Sequence, residues 1–225
     1  MFDLDSDPLL IANIFQSHKF LDSLWKQYPG LRIARGWDPF ETAICMILGQ
    51  LVSLSQGRTL VHQLVQSCGE KIVHPVTGQG AFLFPSPGVL AAADLQEVKT
   101  TQARKNTIKE LSRRIVRQEL DLVTPQDADV AREHLQSICG IGLWSAEYIS
   151  LRALGNADAF PARDLILKRA LAKHPDLNLD TIRPWRSYAA IYLWRHDAET
   201  LSKRDGAVIR RGSGGATGRK PRDGR

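Results

Sequence analysis

The chain is poor in cysteine, in long apolar runs and, over most of its length, in net charge. Among 225 residues only Cys45, Cys68 and Cys139 occur, and no two are spaced as C-x-x-C. That excludes a disulfide framework, a four-cysteine zinc site and a cysteine-ligated iron–sulfur cluster, and it fits a reducing, cytoplasmic setting. The longest uninterrupted apolar run, Tyr188–Trp194, falls far short of the ~20 residues of a membrane span, so no membrane partner is expected. Residues 1–20 mix Asp3, Asp5, Asp7 and Lys19 among the apolar positions, unlike a signal peptide. With 43% hydrophobic residues, the chain has enough apolar side chains for one domain or two small lobes.

The formal charge of +6 points toward nucleic acid, but the body of the chain does not carry it. Residues 201–225 hold eight basic and two acidic residues, which leaves residues 1–200 balanced. This C-terminal segment is rich in Gly and Arg, so residues 1–200 are expected to fold and 201–225 to be a disordered basic tail. Such a tail serves equally as a sequence-independent attractor of phosphate or as a solubilising extension. DNA binding must therefore be argued from elsewhere.

Period-two alternation is also missing, and helical punctuation takes its place. Asp38-Pro39-Phe40-Glu41 reads as a capping box opening an apolar segment through Ala43, Ile44, Ile47, Leu48 and Leu51. A second helix is expected over Gly57–Cys68, an irregular stretch over 71–88, and a short helix after Ser86-Pro87. Residues 103–117 space Ile108, Leu111 and Ile115 along one face, with Arg104, Lys105, Lys109, Arg113 and Arg114 on the other; that face is either simply solvated or a phosphate strip. Thr124-Pro125 caps the next helix, and further helices are expected over 143–154, 164–172 and 184–195. The expected class is all-α.

The most informative stretch is Gly140-Ile141-Gly142 with its flanks. Glycines at a turn permit positive φ and close backbone approach, and the following helix presents free N–H groups suited to one DNA phosphate. A lone Gly-x-Gly is usually an ordinary turn between helices. Here Leu135 and Ile138 precede it, Ile141 lies within it, and Ala146 and Ile149 follow, which is a helix–hairpin–helix pattern for gripping the DNA backbone without reading sequence.

Together with Pro29–Arg32, Trp37–Phe40, Ile47–Ser53, Arg152–Gly155, Asp158–Pro161 and Pro184–Tyr188, in that order, the hairpin resembles the helix–hairpin–helix DNA glycosylases. The similarity is greatest to 3-methyladenine DNA glycosylase II (AlkA type) and runs over roughly residues 28–196. The resemblance implies two helical lobes with the active-site cleft between them. It also implies damaged double-stranded DNA as partner, action as a monomer, and hydrolysis of the N-glycosidic bond of an alkylated purine to leave an abasic site. Members of the type often carry an N-terminal β-rich domain, which is expected to be missing here. They often also have a glycine turn before the position of Arg104, which this chain lacks.

The resemblance assigns roles residue by residue. Asp164, twenty residues after Trp144, is the catalytic carboxylate; read alone, it is an ordinary helix-initiating Asp. Trp144, Tyr148 and Trp194 match the base-stacking pocket, although aromatics at helical spacing are more often core. Gln50 and Leu51 match the probe that fills the gap left by a flipped nucleotide; read alone, Leu51 is another core leucine. Gly140, Ile141 and Gly142 hold the backbone, and the carbonyls of Gln136, Ile138 and Gly140 are implied ligands of a structural Na⁺ or K⁺, with no other cofactor required. Bifunctional relatives place a lysine two residues after the second glycine, where this chain has Trp144, so glycosylase without lyase activity is expected. The rival expectations are a non-catalytic helix–hairpin–helix DNA-binding module and, less favoured, a glycosylase for mismatched or oxidised bases.

Overall fold

Asp7, Asp38, Ser53, Ser86, Thr101, Asp127 and Asp164 each stand at a helix N-cap and accept a backbone N–H from the first turn with their side chains. Each such bond satisfies a donor that the helix itself cannot, and these caps set where most of the helices begin. In this computed structural model, residues 1–73, 76–123 and 127–212 are described, with side chains to residue 201.

The helices are α1 (Pro8–Gln16), α2 (Lys19–Gln27), α3 (Pro39–Gly49), α4 (Leu54–Cys68), α5 (Pro87–Ala92), α6 (Gln102–Val116), α7 (Ala128–Gln136), α8 (Leu143–Ile149), α9 (Leu165–Lys173) and α10 (Arg186–Gly212). A π-helical turn, Ser150–Leu154, continues α8, and a 3₁₀ turn covers Leu179–Ile182. The fold is all-α apart from a small antiparallel pair, β1 (Lys71–Val73) and β2 (Gly80–Phe82), inside the stretch expected to be irregular. Three-residue strands are too short to show an alternation.

Two apolar cores divide the molecule. One is built from α3 to α8, with Ile44, Ile47, Leu64, Ile108, Leu111, Leu135 and Ile149 buried. The other joins α1 and α2 to α9 and α10 through Ile11, Phe15, Leu21, Leu167, Tyr188 and Tyr192. The π-turn lies between them: Ile149 and Ala153 belong to the first core and Leu151 to the second. Positions four apart share a helix face and the one midway points the other way, so this stretch contributes to both cores.

Several boundaries differ from the sequence reading. Helix α4 starts at Leu54, three residues before Gly57, because Ser53 caps it by accepting the Gln56 N–H at 3.2 Å. Asp127 caps α7, and the expected cap at Thr124-Pro125 lies outside the described residues. Helix α10 continues to Gly212, past the expected end of the folded part at residue 200; residues 213–225 of the expected tail lie outside the described residues. Among the described residues, no helix is long and apolar enough to cross a membrane.

Candidate active site

The hairpin is held from below by its apolar residues. Leu135, Ile138, Ile141, Ala146 and Ile149 are all buried, each position matching the sequence pattern. Burying Ile141 alone contributes roughly 1.5–3 kcal/mol to holding the turn on its lobe. Gly140 takes φ +93°, and a Cβ there would run into the Thr107 hydroxyl. That hydroxyl bridges α6 to the hairpin by donating to the Cys139 carbonyl at 2.8 Å. Gly142 is different. Its φ is −79°, and a Cβ would meet nothing, so the protein itself does not require glycine there.

The turn between α3 and α4 brings Gln50 and Leu51 beside the hairpin. The Gln50 side-chain amide donates to Ser145 Oγ at 2.7 Å and to the Gly140 carbonyl at 3.3 Å. Leu51 departs from the expected apolar face of α3: it is 103% exposed and sits at φ +54°. A bulky residue in the left-handed region costs of order 1–3 kcal/mol, and an exposed leucine returns nothing to the core. Arg104 holds this turn by donating to the Gln50 carbonyl at 2.6 Å and to Thr100 Oγ1 at 2.9 Å. Read from sequence as part of a solvated or phosphate-binding face, Arg104 is instead bonded inward, and no local sequence signal marks it.

Asp164 is the N-cap of α9. Its Oδ1 accepts the Ile166 and Leu167 N–H groups at 2.9 and 3.2 Å and the Trp194 indole N–H at 3.1 Å. All three donors converge on one oxygen, and Oδ2 accepts none among the described residues. The carboxylate thus has one anchored oxygen and one available.

A cleft of about 600 Å³ between the lobes is lined by Gln50, Leu51, Gly140, Trp144, Arg163 and Asp164, among others. Arg163 shares the wall but forms no ion pair with Asp164 among the described residues. Of the three aromatics, Trp144 lines the cleft, and Tyr148 and Trp194 are half-buried beside it. Their rings continue from Trp144 in a tilted row, with centroids 5.3 Å apart from Trp144 to Tyr148 and 5.4 Å from Tyr148 to Trp194. The Arg152 guanidinium covers Tyr148 and Trp194 at 5.9 and 5.6 Å and donates to the Ala34 carbonyl at 2.8 Å. The row therefore runs from the cleft to the indole that holds Asp164.

Of the carbonyls implied as cation ligands, that of Ile138 accepts the Ile141 N–H at 3.0 Å and that of Gly140 the Gln50 amide. Each has one further lone pair. Among the described residues no cluster of His, Cys, Asp and Glu is arranged to hold a metal.

No protein-family model matches the chain. A protein of Mycobacterium tuberculosis, described as a probable bifunctional transcriptional activator/DNA repair enzyme AlkA, is 36% identical over 202 residues, 86% of this chain and 40% of that protein. The DNA-3-methyladenine glycosylase 2 of Escherichia coli is 31% identical over 204 residues, 86% of this chain and 68% of the enzyme. The chain thus spans under half of the first relative's length. Among solved structures, a Clostridium acetobutylicum 8-oxoguanine glycosylase/lyase in complex with DNA superposes with a TM-score of 0.69 at 24% identity, over 89% of this chain and 73% of that one. At that identity the likeness is one of fold.

Proposed function

The chain belongs to the DNA-3-methyladenine glycosylase 2 family, and from that premise we propose that it is a monofunctional DNA glycosylase that releases alkylated purines from duplex DNA. The observation that carries this reading is the placement of Asp164. One carboxylate oxygen is fixed by three donors, the other is open, and both belong to a cleft that also holds Leu51, Trp144 and the hairpin.

A base inside a duplex must be flipped out before its glycosidic bond can be reached. Hairpin residues Gly140 to Gly142 grip the backbone, Leu51 enters the space the nucleotide leaves, and Trp144 receives the base. An alkylated purine is cationic, so the aromatic row favours it and the base leaves without a strong general acid. As the bond breaks, positive charge grows on the sugar. The open oxygen of Asp164 stabilises that charge and orients a water for attack. The backbone carbonyls of Gln136, Ile138 and Gly140 are a fitting oxygen donor set for Na⁺ or K⁺. Such an ion would add positive charge where a phosphate sits. One copy of the chain supplies every group named, so a monomer suffices.

A duplex carrying 3-methyladenine tests the reading: the expected product is an abasic site that breaks only after heat or alkali. Strand nicking without either treatment would contradict the absence of lyase chemistry inferred from Trp144 in the lysine position. For Leu51→Ala, the expected result is an unchanged or slightly higher Tm, because the side chain is fully exposed. Base release should slow by about tenfold or more, since unstacking costs a few kcal/mol that the wedge offsets. A lower Tm with unchanged release would remove Leu51 from the wedge role.

A further inference from the structure

Glu147 is a largely covered carboxylate that the proposed chemistry does not use. It lies on α8 between Trp144 and Tyr148 in sequence, and its side chain is 14% exposed. Its Oε2 accepts the Phe160 N–H at 3.0 Å, and Oε1 lies 3.3 Å from the Arg132 guanidinium. From Phe160 the chain turns directly into the site: the Ala162 N–H donates to the Phe160 carbonyl at 2.7 Å, and the Asp164 N–H to the Pro161 carbonyl at 2.8 Å.

The residues just upstream are fastened to the second lobe. Asp158 is paired with Arg183 and Arg186 at 2.6 and 2.7 Å, and Ser187 Oγ donates to the Ala159 carbonyl at 2.6 Å. These bonds fix the segment to α10 and its approach. Glu147 ties the same segment to α8, the helix that carries Trp144 and Tyr148.

We propose that Glu147 is a positioning residue, whose side-chain oxygen holds the Phe160–Asp164 segment in register with the base-receiving helix. Base and catalytic carboxylate then meet at a set separation. The proposal rests on the glycosylase reading of the site. Its physical basis is the steep dependence of reactivity on placement, where an error of about 1 Å costs roughly 10²-fold.

Glu147 presents one oxygen to a backbone N–H and the other to a guanidinium, so acceptor and charge are separable by substitution. Burial pushes its carboxyl above the ordinary range and Asp129 adds to the shift, while the Phe160 N–H, Arg132 and Arg186 pull the other way. A raised carboxyl favours the folded state at low pH, and that contribution is lost as pH rises through the folded pKa. What the site keeps is an acceptor for Phe160.

Three variants of the full chain test this: Glu147→Ala, Glu147→Gln and Arg132→Met. Single-turnover base release, affinity for an abasic-site duplex and amide exchange at Phe160 are the readouts. The expected result is that Glu147→Ala slows release by about tenfold or more, keeps affinity within about threefold, and speeds Phe160 exchange. Glu147→Gln retains an acceptor oxygen and is expected to restore both rate and protection, while Arg132→Met stays near the parent chain. Equal slowing by Ala and Gln, or slowing by Arg132→Met, would overturn the proposal in favour of charge. Unchanged release in Glu147→Ala would overturn it outright. If the parent chain released no base, the glycosylase reading would fall, and Phe160 exchange alone would decide whether Glu147 holds the segment.

Discussion

Replacing Asp164 with Asn is expected to abolish base release while leaving fold and DNA affinity in place. Asn is as good an N-cap as Asp, so its side-chain oxygen can still accept the Ile166 and Leu167 N–H groups. The Trp194 indole keeps an acceptor as well. What disappears is the negative charge at the open oxygen, the one feature that the growing sugar cation requires. Losing a preorganised electrostatic group of this kind costs about 10²–10³-fold, and single-turnover release should fall at least that far. Anisotropy titration with an abasic-site duplex should give an affinity close to that of the parent chain. Asp164→Ala is the contrasting variant: it loses the charge and the cap together and should also lower stability by ~1 kcal/mol. Parallel loss of binding and release in Asp164→Asn, or undiminished release, would return Asp164 to the role of a plain helix cap. The passive helix–hairpin–helix clamp would then be the better reading.

What was legible in the sequence is what is decided locally. The Asp38 cap, the apolar positions around the hairpin and the cap at Asp164 each depend on residues within a few positions, and the structure places them as the pattern implies. Ser53, three residues before Gln56, is a cap signal of the same kind and sets the start of α4 upstream of Gly57. Other features are set by distant partners and leave little local trace. Leu51 has the same side chain as its buried neighbour Leu48 and differs only in backbone conformation and exposure. Arg104 reaches Gln50 and Glu147 reaches Phe160 across turns whose geometry no spacing rule encodes. The π-turn is invisible because its residues are ordinary helix formers. The likeness in sequence supplied a role for Leu51 that its own chemistry did not; the structure adds that this leucine is exposed and left-handed.

The two hairpin glycines are expected to fail in different ways when each becomes alanine. Gly140→Ala forces a β-carbon into the left-handed region and against the Thr107 hydroxyl, which donates to the Cys139 carbonyl. Strain and overpacking together should lower unfolding stability by about 2–5 kcal/mol, read as a reduced urea midpoint with or without DNA. Gly142→Ala meets no protein atom and keeps an allowed φ, so at most ~1 kcal/mol of capping preference is lost. If the hairpin grips a phosphate, however, that open space is where the DNA backbone lies, and a methyl group there displaces it from the N–H groups of α8. A hydrogen bond to a charged partner contributes about 1.5–3 kcal/mol, so affinity for duplex DNA should fall by about tenfold or more, irrespective of sequence. The contrast separates a glycine kept for the fold from one kept for the ligand. Equal destabilisation by both substitutions would make the hairpin an ordinary turn, and unchanged affinity in Gly142→Ala would move the phosphate contact away from it.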